Sequence, residues 1–259
     1  MGTRLSNKVA VVTGAGRGIG RAAAMLFVRE GAKVILADVD AELGAATTQA
    51  IRETGGNALF VRTDVSQRDD VHGLFDAVKR EHGALHVLYN NASIFLGKDD
   101  GAITTLSEDV WDRVLAVNLR GLYLCCKYGV PVIIECGGGS VITTSSSAGV
   151  MGIAGCDAYT ASKGATIALT RSMAVEYGPK NVRVNCIVPA GVDTPMLRES
   201  SLDNPSFDEA AFLRKAPLGR YGTPDEIAQA ALFLASDESS YLNGAIIRAD
   251  GGITVTPIS

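Results

Sequence analysis

The chain has 259 residues, of which 47% are hydrophobic and 20% charged, with a formal net charge of −4. A chain of this length buries roughly three quarters of its unfolded surface and needs no disulfide or metal to hold it together. Interspersed charges of slightly acidic balance exclude the basic footprint of a nucleic-acid binder, and no apolar run reaches membrane-spanning length.

Strand-like and helix-like segments alternate from the start. Lys8–Thr13 is a valine-rich run ended by glycines, and Arg21–Gly31 has helical periodicity. Lys33–Asp38 predicts the second strand, Asp40–Thr54 a helix and Asn57–Asp64 the third strand. Ser66 reads as the cap of a helix to about His82, and His86–Ala92 as the fourth strand. A long helix from about Ser107 to Tyr128 precedes a fifth strand, Ser140–Ser146. Helix Ala158–Tyr177, strand Val182–Pro189, a capping box with proline at Thr223–Glu226 and a last strand at Ala245–Gly252 complete the series. Strands apolar on both faces, alternating with helices, predict a Rossmann-type doubly wound parallel sheet of about seven strands with helices on both faces. With no linker and no break in composition, the expectation is a single α/β domain over residues 1–259. A polar insert at about 196–215 reads as a mobile substrate lid.

Five cysteines (Cys125, Cys126, Cys136, Cys156 and Cys186) form no CxxC pair and have no histidine at metal-ligand spacing, so no metal site is expected. Their odd number fits a reducing compartment. MGTRLSNK lacks the apolar core of a signal peptide, and a cytoplasmic location is the expectation. His72, His82 and His86 fall outside every motif and read as surface or structural.

TGAGRGIG (Thr13–Gly20) lies between the first strand and the first helix. Glycines there let the backbone turn sharply and approach a pyrophosphate at the helix N-terminus. Asp38 ends the second strand 24 positions after Gly14, where a carboxylate can accept from ribose hydroxyls and repel a 2′-phosphate. That favours NAD over NADP as cofactor.

Tyr159 and Lys163 stand four apart, on one helical face. A tyrosine acts as a base only when ionised, and working near neutral pH needs a downward shift of roughly 2–3 units from its usual pKa, about 3–4 kcal/mol. A lysine ammonium one turn away supplies part of that. Ser146 lies 13 residues upstream, at the C-terminal end of a strand, where α/β sheets bind ligands. Its hydroxyl can hold a substrate oxygen, although Ser145 and Ser147 compete for the role.

TGAGRGIG, NNAS, the asparagine of VNLRG, SSSAG and YTASK together resemble, in order and spacing, the short-chain dehydrogenase/reductase (SDR) family in its compact single-domain branch. The resemblance covers essentially the whole chain. It implies a catalytic tetrad of Asn118, Ser146, Tyr159 and Lys163, with Ser146 chosen over its neighbours by spacing. It implies cofactor contacts from Gly14, Arg17, Gly18, Ile19, Gly20, Asp38, Asp64, Val65, Asn91, Ala92, Tyr159, Lys163, Pro189, Val192 and Thr194. Lys163 would bind the nicotinamide ribose, and Asn118 would hold a water that relays protons. Ser146 and Tyr159, with Ile94, Phe95, Ile153, Cys156 and Met196, would contact the substrate. The apolar wall carries no lysine or arginine, so a small neutral or apolar alcohol or ketone is expected. A homotetramer, paired through the two long helices, is also implied.

The chain departs from the family at Ser93, where glycine is usual, and at Ala190, where glycine usually follows the proline. Left-handed backbone at Ser93 would be strained. A catalytically silent NAD-binding regulator is the alternative function. A sugar-nucleotide epimerase would need a larger C-terminal domain.

Overall fold

A computed structural model describes residues 3–203 and 208–255. Seven parallel strands lie in the order β3-β2-β1-β4-β5-β6-β7. The chain runs β1 (Val9–Thr13), α1 (Gly18–Arg29), β2 (Lys33–Asp38), α2 (Ala41–Glu53), β3 (Ala58–Arg62), α3 (Arg68–His82) and β4 (Val87–Asn90). It continues with α4 (Glu108–Leu115), α5 (Gly121–Glu135), β5 (Gly139–Thr144), α6 (Asp157–Tyr177) and β6 (Val182–Pro189). Short helices α7 (Pro195–Leu197) and α8 (Glu209–Lys215) precede α9 (Pro224–Ala235) and β7 (Ile246–Ala249). The expected doubly wound sheet is therefore the observed one.

Alternation along the strands divides the core. Ala10, Val12, Val34 and Leu36 pack with Phe27 of α1 and Leu232 of α9 on one face. Val9, Val11, Ile35 and Ala37 pack with Leu74 of α3 and Cys125 of α5 on the other. Every β1 residue is buried, as a central parallel strand requires. The strand order reverses between β1 and β4, so their C-terminal ends open a crevice between the loops that follow.

Three local expectations need correction. The long helix continues to Glu135 rather than stopping near Tyr128, because Pro131 lies on its exposed side. It is also interrupted by a π-helical turn, Ala116–Arg120. Ser66 caps nothing: Gln67 precedes α3, and the Ser66 hydroxyl donates instead to Asp64 at 2.7 Å. The segment expected to form a lid holds short helical turns, α7, a π turn at Arg198–Leu202 and α8; its residues 204–207 lie outside the described residues. The capping box at Thr223 and Glu226 forms with both hydrogen bonds.

Candidate active site

The glycine turn is tied down from three sides. Gly14 has φ 65°, a conformation that glycine adopts without strain. Its N–H donates to the Ala37 carbonyl at 2.8 Å, and the Asn91 side-chain amide reaches the carbonyls of Thr13 and Gly14. The Thr13 hydroxyl accepts from the backbone N–H groups of both Asn91 and Ala92 at 3.0 Å, locking β1 to the segment after β4. A Cβ on Gly20 would sit 2.0 Å from the Gly14 carbonyl oxygen, so only glycine lets the helix approach this closely. Gly20 packs there without lining the cleft.

Arg17 is the N-cap residue of α1, and the intrahelical bonding begins with Arg21 N–H to Arg17 C=O at 3.3 Å. The N–H groups of Gly18, Ile19 and Gly20 thus have no intrahelical acceptor, the usual condition of a helix start that meets an anion. Asp38 accepts from Gly16 N–H at 2.8 Å with one oxygen and from Asp40 N–H at 3.0 Å with the other. These bonds fix the carboxylate at the cleft edge and leave it further acceptor capacity. Asp64 accepts from Ser66 N–H and hydroxyl, while Val65 is buried.

One cleft of about 980 Å³ joins this turn to the ends of β4, β5 and β6. Its lining includes Gly14, Arg17, Gly18, Ile19, Asp38, Asp64, Val65, Asn91 and Ala92 at one end. At the other lie Ile94, Phe95, Ser146, Ile153, Cys156, Tyr159, Lys163, Pro189, Val192, Thr194 and Met196. Sequence reading thus converges on a single space, with Gly20 and Asn118 as the members that do not line it.

At the deep end, β5 stops at Thr144 and the three serines diverge. Ser145 is buried and donates to the Lys163 carbonyl at 2.8 Å. Ser146 lines the cleft with Tyr159, accepts from Ala148 N–H, and its hydroxyl acts to lower the pKa of the Tyr159 phenol. Ser147 begins a short 3₁₀ turn. The Lys163 ammonium donates to the Thr144 carbonyl at 2.9 Å and lies 5.4 Å from the Tyr159 ring centroid. It has no carboxylate partner among the described residues, and burial pulls its pKa down to about 8. Burial likewise pushes the Tyr159 phenol up to about 12, with the Ser146 hydroxyl opposing. Desolvation thus outweighs the stabilisation expected from the lysine in the cofactor-free chain.

Asn118 sits in the π turn, which aims its amide sideways out of the helix. Its carbonyl accepts from Ile94 N–H at 2.8 Å, and its amide donates to Ile94 C=O at 2.9 Å and to the Ser162 hydroxyl at 3.1 Å. Ser162 in turn donates to the Tyr159 carbonyl at 2.7 Å. Asn118 thereby joins the substrate-side loop to the tyrosine-bearing helix. With Lys163 it also borders a small cavity of about 10 Å³ lined by threonines and apolar side chains.

Asp100 is a site residue that sequence reading missed. Its carboxylate accepts from Ala158 N–H at 3.2 Å and Tyr159 N–H at 3.0 Å, capping α6, whose own N-cap residue, Cys156, supplies no side-chain bond. Asp157 reciprocates by accepting from Ile103 N–H at 2.8 Å. Asp100 lies 58 residues from Ala158 in sequence, so no local pattern marks it. Phe95 packs its ring against Tyr159 at 4.6 Å between centroids. The Cys156 thiol is buried beside Thr160, and that burial raises its pKa.

Ser93 has none of the strain expected of it. Among the described residues only Asn7 and Asn181 are non-glycine residues of positive φ. The Ser93 hydroxyl is buried without a hydrogen-bond partner. Ala190 also keeps ordinary backbone and lines the cleft.

The order of these elements, with the cleft at the strand ends, defines a Rossmann-type α/β architecture. A family model described as "Enoyl-(Acyl carrier protein) reductase" matches residues 14–254. The cyclohexanol dehydrogenase of Acinetobacter sp. (strain SE19) is 35% identical, covering 98% of each chain. The cis-4-hydroxycyclohexanecarboxylate dehydrogenase of Sinomonas cyclohexanicum is 39% identical, covering 98% of this chain and 99% of its own. The crystal structure of levodione reductase superposes with a TM-score of 0.93 at 33% identity, over 98% of this chain and 100% of that one. The chain belongs to the short-chain dehydrogenase/reductase family and is an oxidoreductase acting on CH–OH groups.

Proposed function

We propose that the protein interconverts a small, neutral alicyclic secondary alcohol and its ketone with NAD, using Tyr159 as the proton-transfer group. The observation that carries the reading is the convergence of Ser146, Tyr159 and Lys163 on the cleft that also holds Asp38. Bound NAD would supply the hydride acceptor for the carbinol carbon. The unpaired N–H groups of Gly18, Ile19 and Gly20 bind its pyrophosphate, with Arg17 contributing backbone at the helix start. Asp38 accepts from the adenosine ribose and disfavours a 2′-phosphate. Asp64, Val65, Asn91 and Ala92 border the adenosine half. Pro189, Val192 and Thr194 hold the nicotinamide half.

Ser146 orients the substrate oxygen toward the Tyr159 hydroxyl, beside which it lines the cleft. Tyr159 withdraws the alcohol proton, and Lys163 supplies the positive charge that makes phenolate accessible. The lysine is poised for this: with its pKa lowered to about 8, it remains mostly charged at pH 7 yet can pass a proton onward. Asn118 holds the Ile94 peptide and Ser162 in register with the tyrosine. The wall formed by Ile94, Phe95, Ile153, Cys156 and Met196 offers no lysine or arginine beyond the catalytic Lys163, which is buried against the Thr144 carbonyl, so it suits a neutral ring better than a carboxylate. The cyclohexanol relative supports an alicyclic substrate.

Tyr123 of α5 and Val175 of α6 are exposed, the latter at 80%, which supports self-association through these helices into the homotetramer. The functional test is an NAD-reduction screen across cyclic and open-chain secondary alcohols, with NADP and a ring carboxylate in parallel. Turnover of cyclohexanol-type substrates with NAD is expected. Exclusive use of NADP, or preference for the carboxylate, would sink the corresponding part of the reading.

A further inference from the structure

Away from the chemistry, a charged contact joins the two walls of the cleft. Arg17 extends its guanidinium to Glu199, on the π turn Arg198–Leu202 of the lid, in a two-pronged contact of 2.6 Å and 3.1 Å. The lid side of the contact is braced internally. Arg198 pairs with Asp193 at 2.7 Å, Asp203 N–H returns to Arg198 C=O at 2.9 Å, and the Ser200 hydroxyl donates to Met196 C=O at 2.6 Å. The turn side is braced by the Gly16 N–H bond to Asp38, which places the Arg17 backbone one residue from that carboxylate.

The cations lining the cleft, among the described residues, are Arg17, Arg113 and Lys163. Lys163 is buried at the chemical end against the Thr144 carbonyl. Arg113 stands on α4, outside the turn. Arg17 is therefore the cation placed to swing toward a phosphate on the adenosine ribose, the arrangement by which an arginine accommodates NADP. Its fork is already filled by a carboxylate of matching shape.

We propose that Glu199 is a cofactor-selecting residue, which withholds Arg17 from a 2′-phosphate and so reinforces Asp38 from across the cleft. This rests on the NAD reading given above. Both partners are about half exposed, so the pair adds little to stability by itself. Its effect belongs to the competition between carboxylate and phosphate for one guanidinium. Asp38 repels the phosphate directly, whereas Glu199 removes what would attract it.

The test compares kcat/KM for NAD and for NADP in the wild type, Glu199→Gln, Arg17→Ala and the double variant. Glu199→Gln frees the guanidinium and is expected to raise the NADP/NAD ratio roughly tenfold, the scale of one charge-assisted hydrogen bond. Arg17→Ala and the double variant are expected to show the same low ratio, because the gain requires the arginine. An NADP/NAD ratio in Glu199→Gln within twofold of wild type would overturn the inference. So would a gain that survives in the double variant. A wild type that prefers NADP would instead refute the role given to Asp38, and the change on Glu199→Gln would still decide the role of Glu199.

Discussion

Replacing Lys163 by methionine should abolish turnover and yet change stability in a direction that depends on pH. The ammonium is buried, has no carboxylate partner among the described residues, and its pKa is lowered to about 8 from an ordinary 10.5. The folded state therefore binds fewer protons than the unfolded chain between those values, and stability rises with pH across the window. Lowering the pKa from 10.5 to about 8 corresponds to a penalty of about 3 kcal/mol near pH 7, and linkage returns about 2 kcal/mol of it by pH 9.5. Methionine carries no such penalty but loses the 2.9 Å bond to the Thr144 carbonyl, a cost that does not vary with pH in this range. Thermal unfolding of the cofactor-free proteins, followed by circular dichroism at half-unit steps from pH 7 to 9.5, gives the difference in Tm. That difference should move in favour of wild type by roughly 4–8 °C as pH rises, at 2–4 °C per kcal/mol for a chain of this size. A constant difference would mean that Lys163 is hydrated or paired in solution, and the reasoning from its burial would fail.

Tyr159→Phe should lower kcat by roughly 10²–10⁴-fold, the usual worth of a positioned acid/base, while leaving NAD affinity by fluorescence titration within threefold. Unchanged turnover would revive a catalytically silent, cofactor-binding role. Asp100→Ala removes the acceptor for two N–H groups at the start of α6 and should cost about 1–2 kcal/mol, the range of a lost helix cap. Calorimetry would show this as a drop of roughly 2–8 °C in Tm, and the idea fails if the drop is below 1 °C.

The sheet and its flanking helices were legible because the buried strands are short apolar runs rich in β-branched residues, several of them ended by glycine, proline or aspartate. Lys33–Asp38 and Val182–Pro189 match the structure residue for residue. Gly14, Asp38, Tyr159 and Lys163 were legible for another reason, their places at strand ends and on one helical face, whereas Ser146 was separated from Ser145 and Ser147 only by the family resemblance. What stayed hidden depends on contacts distant in sequence. Asp100 reads as one of two adjacent aspartates in a loop until the fold sets it on the Tyr159 backbone. Arg17 reads as a cofactor contact until the lid brings Glu199 to it. The π turn at Asn118 was invisible because hydrophobic periodicity cannot count one surplus residue in a helix. The upward pKa of Tyr159 was also missed, since a neighbouring lysine is visible in sequence and the depth of burial is not.

That surplus residue makes chain length, as much as residue identity, a condition of the site. A π turn is an α-helix holding one residue more than its hydrogen-bond ladder accommodates. Through it α4 and α5 keep separate rotational phases: α5 faces the core with Leu122 and Cys125, while Asn118 reaches sideways to the Ile94 peptide. A substitution at Arg120, the exposed position of Ala116–Arg120, leaves that phase difference intact. Loss of any one residue there would regularise the ladder, rotate α4 by about 100° relative to α5, and carry Asn118 away from Ile94 and Ser162 together. The segment is thus a spacer whose length is fixed by the site, inside an element that otherwise looks like an ordinary helix.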